Sequence, residues 1–153
     1  MHLLFVCTGN TCRSPLAEGI ARRMVAERGL SDLTIGSAGT SAWPDAPASD
    51  GALLVSLEHG IDLGEHRARQ LAPDLVASAD LILTMGPHHL ERAEALGGEG
   101  RAFMLTAFSS GMTRPVSDPF GGDLEVYRAT YDELQREIGS VLDRVVADRD
   151  RTR

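Results

Sequence analysis

The first apolar run of the chain, His2-Leu3-Leu4-Phe5-Val6-Cys7, is short and continuous rather than alternating, and Thr8-Gly9-Asn10 follows it at once. A strand apolar on both faces is covered on both faces, so the run predicts a buried parallel strand. Ser14-Pro15 reads as a helix cap followed by proline at the first helical position. Glu18 falls in the predicted first turn, and Leu16, Ile20 and Met24 recur every four residues. A helix is expected to about Arg28, with Gly29 as its stop.

Further along, residues 34–38 (Thr-Ile-Gly-Ser-Ala) predict a second strand, and the Gly-, Ser- and Pro-rich stretch 39–47 a loop. A helix follows over about 49–59, stopped by Gly60, and a short helical piece over 73–77. Leu81-Ile82-Leu83-Thr84-Met85 gives a third strand, Pro87 opens a helix reaching about Leu96, and 102–105 is a short fourth strand. Residues 109–122 read as loop. The last helix is expected over 124 to about 147, with Leu134, Ile138, Val141, Leu142 and Val145 on one face, and the charged tail 148–153 is expected to fray. Strands alternating with helices predict a single-domain α/β fold over residues 1–153: a four-stranded parallel sheet, doubly wound with helices on both faces. Active sites of such folds lie beyond the carboxyl ends of the strands, and Cys7 ends the first one.

The chain has 153 residues, 42% hydrophobic and 24% charged, which is one domain of ordinary globular composition. Its 15 basic residues against 22 acidic leave a formal charge of −7, and every basic residue is arginine. A net acidic domain lacks the broad basic face that nucleic-acid binding requires. No stretch approaches the roughly 20 apolar residues of a membrane span, and the start shows no basic leader before an apolar segment, so a cytoplasmic protein is expected. In a reducing compartment the two neighbouring cysteines, Cys7 and Cys12, point to catalytic or redox chemistry rather than to a disulfide framework.

The segment Cys7-Thr8-Gly9-Asn10-Thr11-Cys12-Arg13-Ser14 sets a cysteine and an arginine six positions apart, across a loop that enters a helix. Backbone N–H groups of such a loop turn inward as an anion nest, reinforced by the positive end of the helix dipole. The same field favours a thiolate on Cys7. Arg13 supplies a planar, two-pronged clamp for phosphate oxygens. The loop is not a nucleotide-binding P-loop, whose lysine and second glycine it lacks.

These residues resemble the low-molecular-weight protein phosphatases, whose signature is a cysteine, five residues, an arginine and a serine or threonine close to the N-terminus, matched by Cys7 to Ser14. Their second signature, an aspartate-proline pair before the C-terminal helix, is matched by Asp118-Pro119-Phe120. Ser37-Ala38-Gly39-Thr40 and His66-Arg67-Ala68-Arg69-Gln70-Leu71 are also similar to the family. The resemblance implies a two-step phosphoryl transfer without metal or cofactor. Cys7 is the nucleophile, Arg13 the phosphate clamp and Asp118 the general acid and then base, with phosphorylated proteins or peptides as partners and inorganic phosphate as product. By the same resemblance, Thr8, Gly9, Asn10, Thr11 and Cys12 line the phosphate loop, Asn10 braces it, Ser14 hydrogen-bonds near the cysteine and Ser37 supports the loop. The thioredoxin-linked arsenate reductases share fold and loop but need resolving cysteines far downstream, and none follows Cys12. A phosphocysteine carrier or a silent phosphopeptide-binding domain has less use for Arg13 and Asp118 together.

Substrate choice turns on Thr11. Tyrosine-specific relatives commonly carry a larger aliphatic residue there, whereas a branch acting on phosphoarginine carries threonine within the same Cys-Thr-Gly-Asn-Thr-Cys-Arg-Ser loop and resembles the chain at Asp118-Pro119-Phe120-Gly121-Gly122. Phosphoarginine is the expectation, with phosphotyrosine the alternative. Trp43 and Phe120 are candidate walls for either side chain, since a guanidinium also stacks on an aromatic ring; Trp43 read simply is a loop residue covering the edge of the core. Cys12 reads either as a redox partner of Cys7 or as a small buried residue beside the helix. His66, His88 and His89 invite a metal reading, but the cysteines are not at zinc-ligand spacing and adjacent histidines are expected to point apart on a helix. Tyr127 and Tyr131 read as packing residues.

Overall fold

Residues 1–151 are described by the computed structural model, and the last two residues of the predicted tail, Thr152 and Arg153, lie outside the described residues. The strands are β1 (His2–Cys7), β2 (Thr34–Gly39), β3 (Leu81–Thr84) and β4 (Ala102–Met104), all parallel in the order β2-β1-β3-β4. The continuous apolar pattern of β1 follows from its central place. Leu3, Phe5 and Cys7 face one core, while Leu4 and Val6 face the other.

The larger core is built by α1 (Arg13–Glu27), α2 (Asp50–Glu58), α5 (Leu105–Ser110) and α6 (Leu124–Arg151). The smaller one is built by α3 (Pro73–Ser78) and α4 (Pro87–Ala93), the latter running into a wide turn over Glu94–Gly98 that breaks at Gly97 with φ 108°. Leu134, Ile138, Val141, Leu142 and Val145 of α6 are all buried, as their spacing predicted. Burying a side chain of this size contributes about 1.5–3 kcal/mol, so this face alone fixes α6 on the sheet.

Several boundaries differ from the sequence reading. Ser14 does not cap α1: Cys12 holds the cap position, no side chain caps the helix, and Pro15 and Glu18 are its third and sixth residues. Tertiary partners recruit the Ser14 hydroxyl instead. Val25 rather than Met24 completes the buried stripe of α1, because a strict spacing of four drifts off the face of a 3.6-residue helix. The predicted fourth strand stops at Met104, and α5, which the sequence reading missed, occupies 105–110 and ends at Gly111 in the left-handed conformation, φ 73°. The last helix runs four residues past its expected end, held by the ion pairs Arg144–Asp148, Arg149–Asp32 and Arg151–Asp148.

Parallel register brings Cys7, at the end of β1, opposite Gly39, at the end of β2. A Cβ on Gly39 would lie 2.4 Å from the Thr8 carbonyl oxygen, so only glycine lets β2 run flush against the loop after Cys7. The carboxyl edge of the sheet is thereby closed around residues 7–14.

Candidate active site

The loop between β1 and α1 is held from behind by one residue. Asn10 is fully buried with φ 57°, a left-handed conformation that asparagine adopts more readily than most residues. Its side-chain amide donates to Ser14 Oγ (2.7 Å) and Ser37 Oγ (2.9 Å), and its side-chain oxygen accepts from the Arg69 backbone N–H (3.0 Å). His66 Nε2 lies 2.7 Å from the Asn10 backbone carbonyl. Both amide hydrogens of Asn10 are spent on hydroxyl oxygens, which leaves each hydroxyl proton free to pass onward. Ser37 donates to Glu18 Oε1 (2.6 Å), and Ser14 is 3.0 Å from Cys7 Sγ, with the Ala38 carbonyl a distant second at 3.5 Å. The order of donors thus aims the Ser14 hydroxyl hydrogen at the sulfur.

In front, Cys7, Thr8, Gly9, Thr11, Cys12 and Arg13 line a cavity of about 230 Å³, closed on its far side by Asp118 and Phe120. Among the described residues, no backbone N–H from Thr8 to Ser14 donates to an acceptor of the chain. A run of unspent donors at a helix N-terminus binds an anion. Arg13 is buried and lines the cavity; its Nη1 donates to the Val116 carbonyl (2.9 Å) and its Nη2 is 3.6 Å from Asp118 Oδ2. Asp118 is half exposed, and its Oδ1 accepts from the Phe120 N–H (3.0 Å) in a local turn. The turn use and the cavity-facing use of Asp118 coexist, one on each carboxylate oxygen.

A larger cavity of about 550 Å³ lies behind the loop, lined by Glu18, Arg22, Ser37, His66 and Arg69 among others. No cysteine lines it, whereas both line the smaller cavity.

The structure brings together Cys7 to Ser14, Ser37, Asp118 and Phe120. Trp43 is 82% exposed and is not among the residues lining the cavity, whereas Phe120, 75% exposed, stands at its mouth. Neither covers the edge of the core. Cys12 is buried; its sulfur is 3.3 Å from both Ser49 Oγ and Tyr127 Oη, and both cysteines are free thiols. Burial and the Cys12 contact push the Tyr127 phenol up to about 12. Tyr127 approaches this closely because Gly51 faces it, a Cβ there falling 2.3 Å from the ring. Tyr131 stacks on His59, ring centroids 3.9 Å apart.

The sequence reading missed several supporting groups: Arg69 and Glu18 in the Asn10 network, Val116 as the anchor of Arg13, and Ser49 and Tyr127 beside Cys12. His66 serves the loop through its Nε2 bond to the Asn10 carbonyl; the stretch His66 to Leu71 was the available signal. His88 and His89 do not point apart. Side-chain rotation at the start of α4 brings their rings to 3.9 Å, tilted by 44°, and His89 Nε2 lies 2.8 Å from Thr8 Oγ1. Among the described residues no three His, Cys, Asp or Glu side chains converge as a metal site, and no helix is long and apolar enough to cross a membrane.

The family profile described as low molecular weight phosphotyrosine protein phosphatase matches residues 2–151. The chain belongs to this family. Among low-molecular-weight phosphatases it is 36% identical over 151 residues to a protein-arginine-phosphatase of Bacillus subtilis, covering 97% of this chain and 99% of that one. It is 38% identical over 142 residues to the low molecular weight protein-tyrosine-phosphatase PtpB of Staphylococcus haemolyticus, covering 92% and 97%. Of solved structures, a YwlE arginine phosphatase in which serine replaces the active-site cysteine and is phosphorylated superposes with a TM-score of 0.93 at 35% identity, over 98% of this chain and 99% of that one. A low molecular weight protein tyrosine phosphatase from T. tengcongensis gives 0.88 at 39% identity, over 94% and 99%. Phosphatases named for arginine and for tyrosine thus stand at similar distance.

Proposed function

We propose that the protein is a metal-independent cysteine phosphatase that removes phosphate from arginine side chains of proteins through a phosphocysteine intermediate. The observation that carries the phosphatase reading is one cavity holding a cysteine sulfur, a run of unspent backbone donors, an arginine and, opposite, an aspartate. Cys7 Sγ attacks phosphorus; the phosphorus–nitrogen bond breaks as Asp118 gives its proton to the leaving guanidine nitrogen. Water then attacks the phosphocysteine, Asp118 takes its proton, the sulfur–phosphorus bond breaks and inorganic phosphate leaves. The loop donors and Arg13 take up charge on the equatorial oxygens in both steps. Ser14 steadies the sulfur as a thiolate when it attacks and again when it leaves. Phosphorylation of the serine that replaces the active-site cysteine in the YwlE structure supports covalent transfer at this position.

Arginine as substrate is supported by Thr11, whose side chain lines the cavity and is smaller than isoleucine while presenting a hydroxyl to a guanidinium or to the attacking water. The aromatic wall of Phe120 favours phosphotyrosine as the second reading. Measuring kcat/KM on matched phosphoarginine and phosphotyrosine peptides separates them. Wild type is expected to prefer phosphoarginine and Thr11→Ile to move the ratio towards phosphotyrosine by about tenfold or more. A ratio unchanged by the substitution removes Thr11 as the determinant.

A further inference from the structure

The chemistry above makes no use of the imidazole of His89, yet this ring holds Thr8, the first residue of the loop after the nucleophile. His89 is fully buried as the third residue of α4, its Nε2 is 2.8 Å from Thr8 Oγ1, and its equally inaccessible Nδ1 has no hydrogen-bond partner. Burial, with His88 and Arg13 adding positive charge nearby and Asp118 opposing them, pushes its pKa down to about 4. The ring is therefore neutral near pH 7 and carries a single N–H. A hydrogen on Nδ1 would be a buried donor with nothing to accept it. A hydrogen on Nε2 is used by Thr8 and leaves only a lone pair unpaired, the commoner of the two kinds of orphan. Thr8 Oγ1 then accepts from His89, and its own proton is left over. Among the described residues Thr8 Oγ1 has no second hydrogen bond, and Thr8 lines the catalytic cavity beside Cys7.

We propose that His89 is a positioning residue whose Nε2–H fixes the Thr8 hydroxyl as a donor facing the catalytic cavity, adding one side-chain donor to the backbone N–H groups that meet the phosphoryl oxygens. The inference rests on the phosphatase reading for its consequence and on the His89–Thr8 bond for its geometry, and each is tested separately. Imidazole ¹⁵N NMR of the wild-type chain at pH 7 is expected to show His89 protonated on Nε2; protonation on Nδ1 overturns the proposal whatever the protein hydrolyses. With an aryl phosphate as substrate, His89→Leu and Thr8→Val are each expected to lower kcat/KM by about tenfold, the value of one hydrogen bond to a charged group. The double variant is expected to be no worse than Thr8→Val alone, and His89→Gln, whose amide carries an N–H near the Nε2 position, to recover most of the loss. Additive losses, or failure of glutamine to rescue, make His89 a packing residue and overturn the proposal. If His89→Leu does not fold, Thr8→Val decides: it must shift the His89 Nε2 resonance and lower kcat/KM, and unchanged activity overturns the role. A wild type inert on phosphate esters and phosphoarginine alike sinks the phosphatase reading, while the NMR result still decides the bond.

Discussion

The two walls of the cavity beside Cys7 are built differently. The wall formed by residues 7–14 has the proposed nucleophile, Cys7, buried and its brace, Asn10, engaged by four other residues. The opposite wall, residues 113–122, keeps Asp118 and Phe120 exposed at its tip and is tied down at its base by Arg13 to the Val116 carbonyl, by the Val116 N–H to the Met85 carbonyl (2.8 Å), by Thr106 Oγ1 to the Arg114 carbonyl and by Arg114 to Glu133 and Glu137. A wall of fixed donors suits an anion whose geometry hardly varies, and preorganisation there spares reorganisation during transfer. An exposed wall suits the role proposed for Asp118, a proton donor that must also admit the side chain bearing the phosphate. The contrast separates stability from turnover: loss of Asn10 is expected to cost both, and loss of the half-exposed Asp118 carboxylate turnover alone.

The largest expected effect breaks the first wall at its reactive atom. Cys7→Ser should lower turnover by on the order of 10⁴-fold or more while phosphate still binds, as read by steady-state kinetics and calorimetric titration; retained activity sinks covalent transfer. Next, Asp118→Asn should lower kcat by roughly 10²–10³-fold, and because the carboxylate is half exposed the melting temperature should stay within about 2 °C. A large loss of stability would erase the distinction between the walls. Asn10→Ala reverses that signature, since it strands two hydroxyls and the Arg69 N–H at a cost of about 3 kcal/mol, or roughly 6–12 °C in melting temperature, with activity falling as well.

The smallest effect is a dependence of stability on pH. The unfolded chain gains a proton on His89 below about pH 6.5, whereas the folded chain, where burial, His88 and Arg13 oppose the charge, gains it only near pH 4. Its contribution is complete above pH 6.5 and falls by up to about 3 kcal/mol as the pH drops to 4. Urea unfolding of wild type against His89→Gln should show the two curves converging through this window as wild type loses its advantage. Parallel curves would mean that His89 takes its proton in the folded chain as easily as in the unfolded one.

What the sequence revealed follows from which interactions are local. Strand β1, the loop and the apolar face of α6 were legible because each is written as an uninterrupted run or a helical period within one segment. Helix α5 was not, because Met104 offers no capping side chain and Leu105 continues the apolar run of β4 without a break. Ser14 was misread as a cap because its partners, Cys7 and Asn10, are decided by tertiary closure rather than by its neighbours in the helix. Cys7, Arg13 and Asp118 were picked out together from their motifs, and the structure sets all three around one cavity. The side chains that brace the cavity were not, since Arg69, Val116, Tyr127 and His89 reach it from 59 to 115 residues away.

Those separations also order events during synthesis. Arg13 and its Val116 anchor are 103 residues apart, so at about 5–20 residues per second a ribosome makes the arginine roughly 5–20 s before its acceptor exists. Throughout that interval Cys7 has been made and the wall opposite it has not. The cysteine is made well before the segment that encloses it. Burial of that sulfur is therefore a property of the completed fold, not of the segment that carries it.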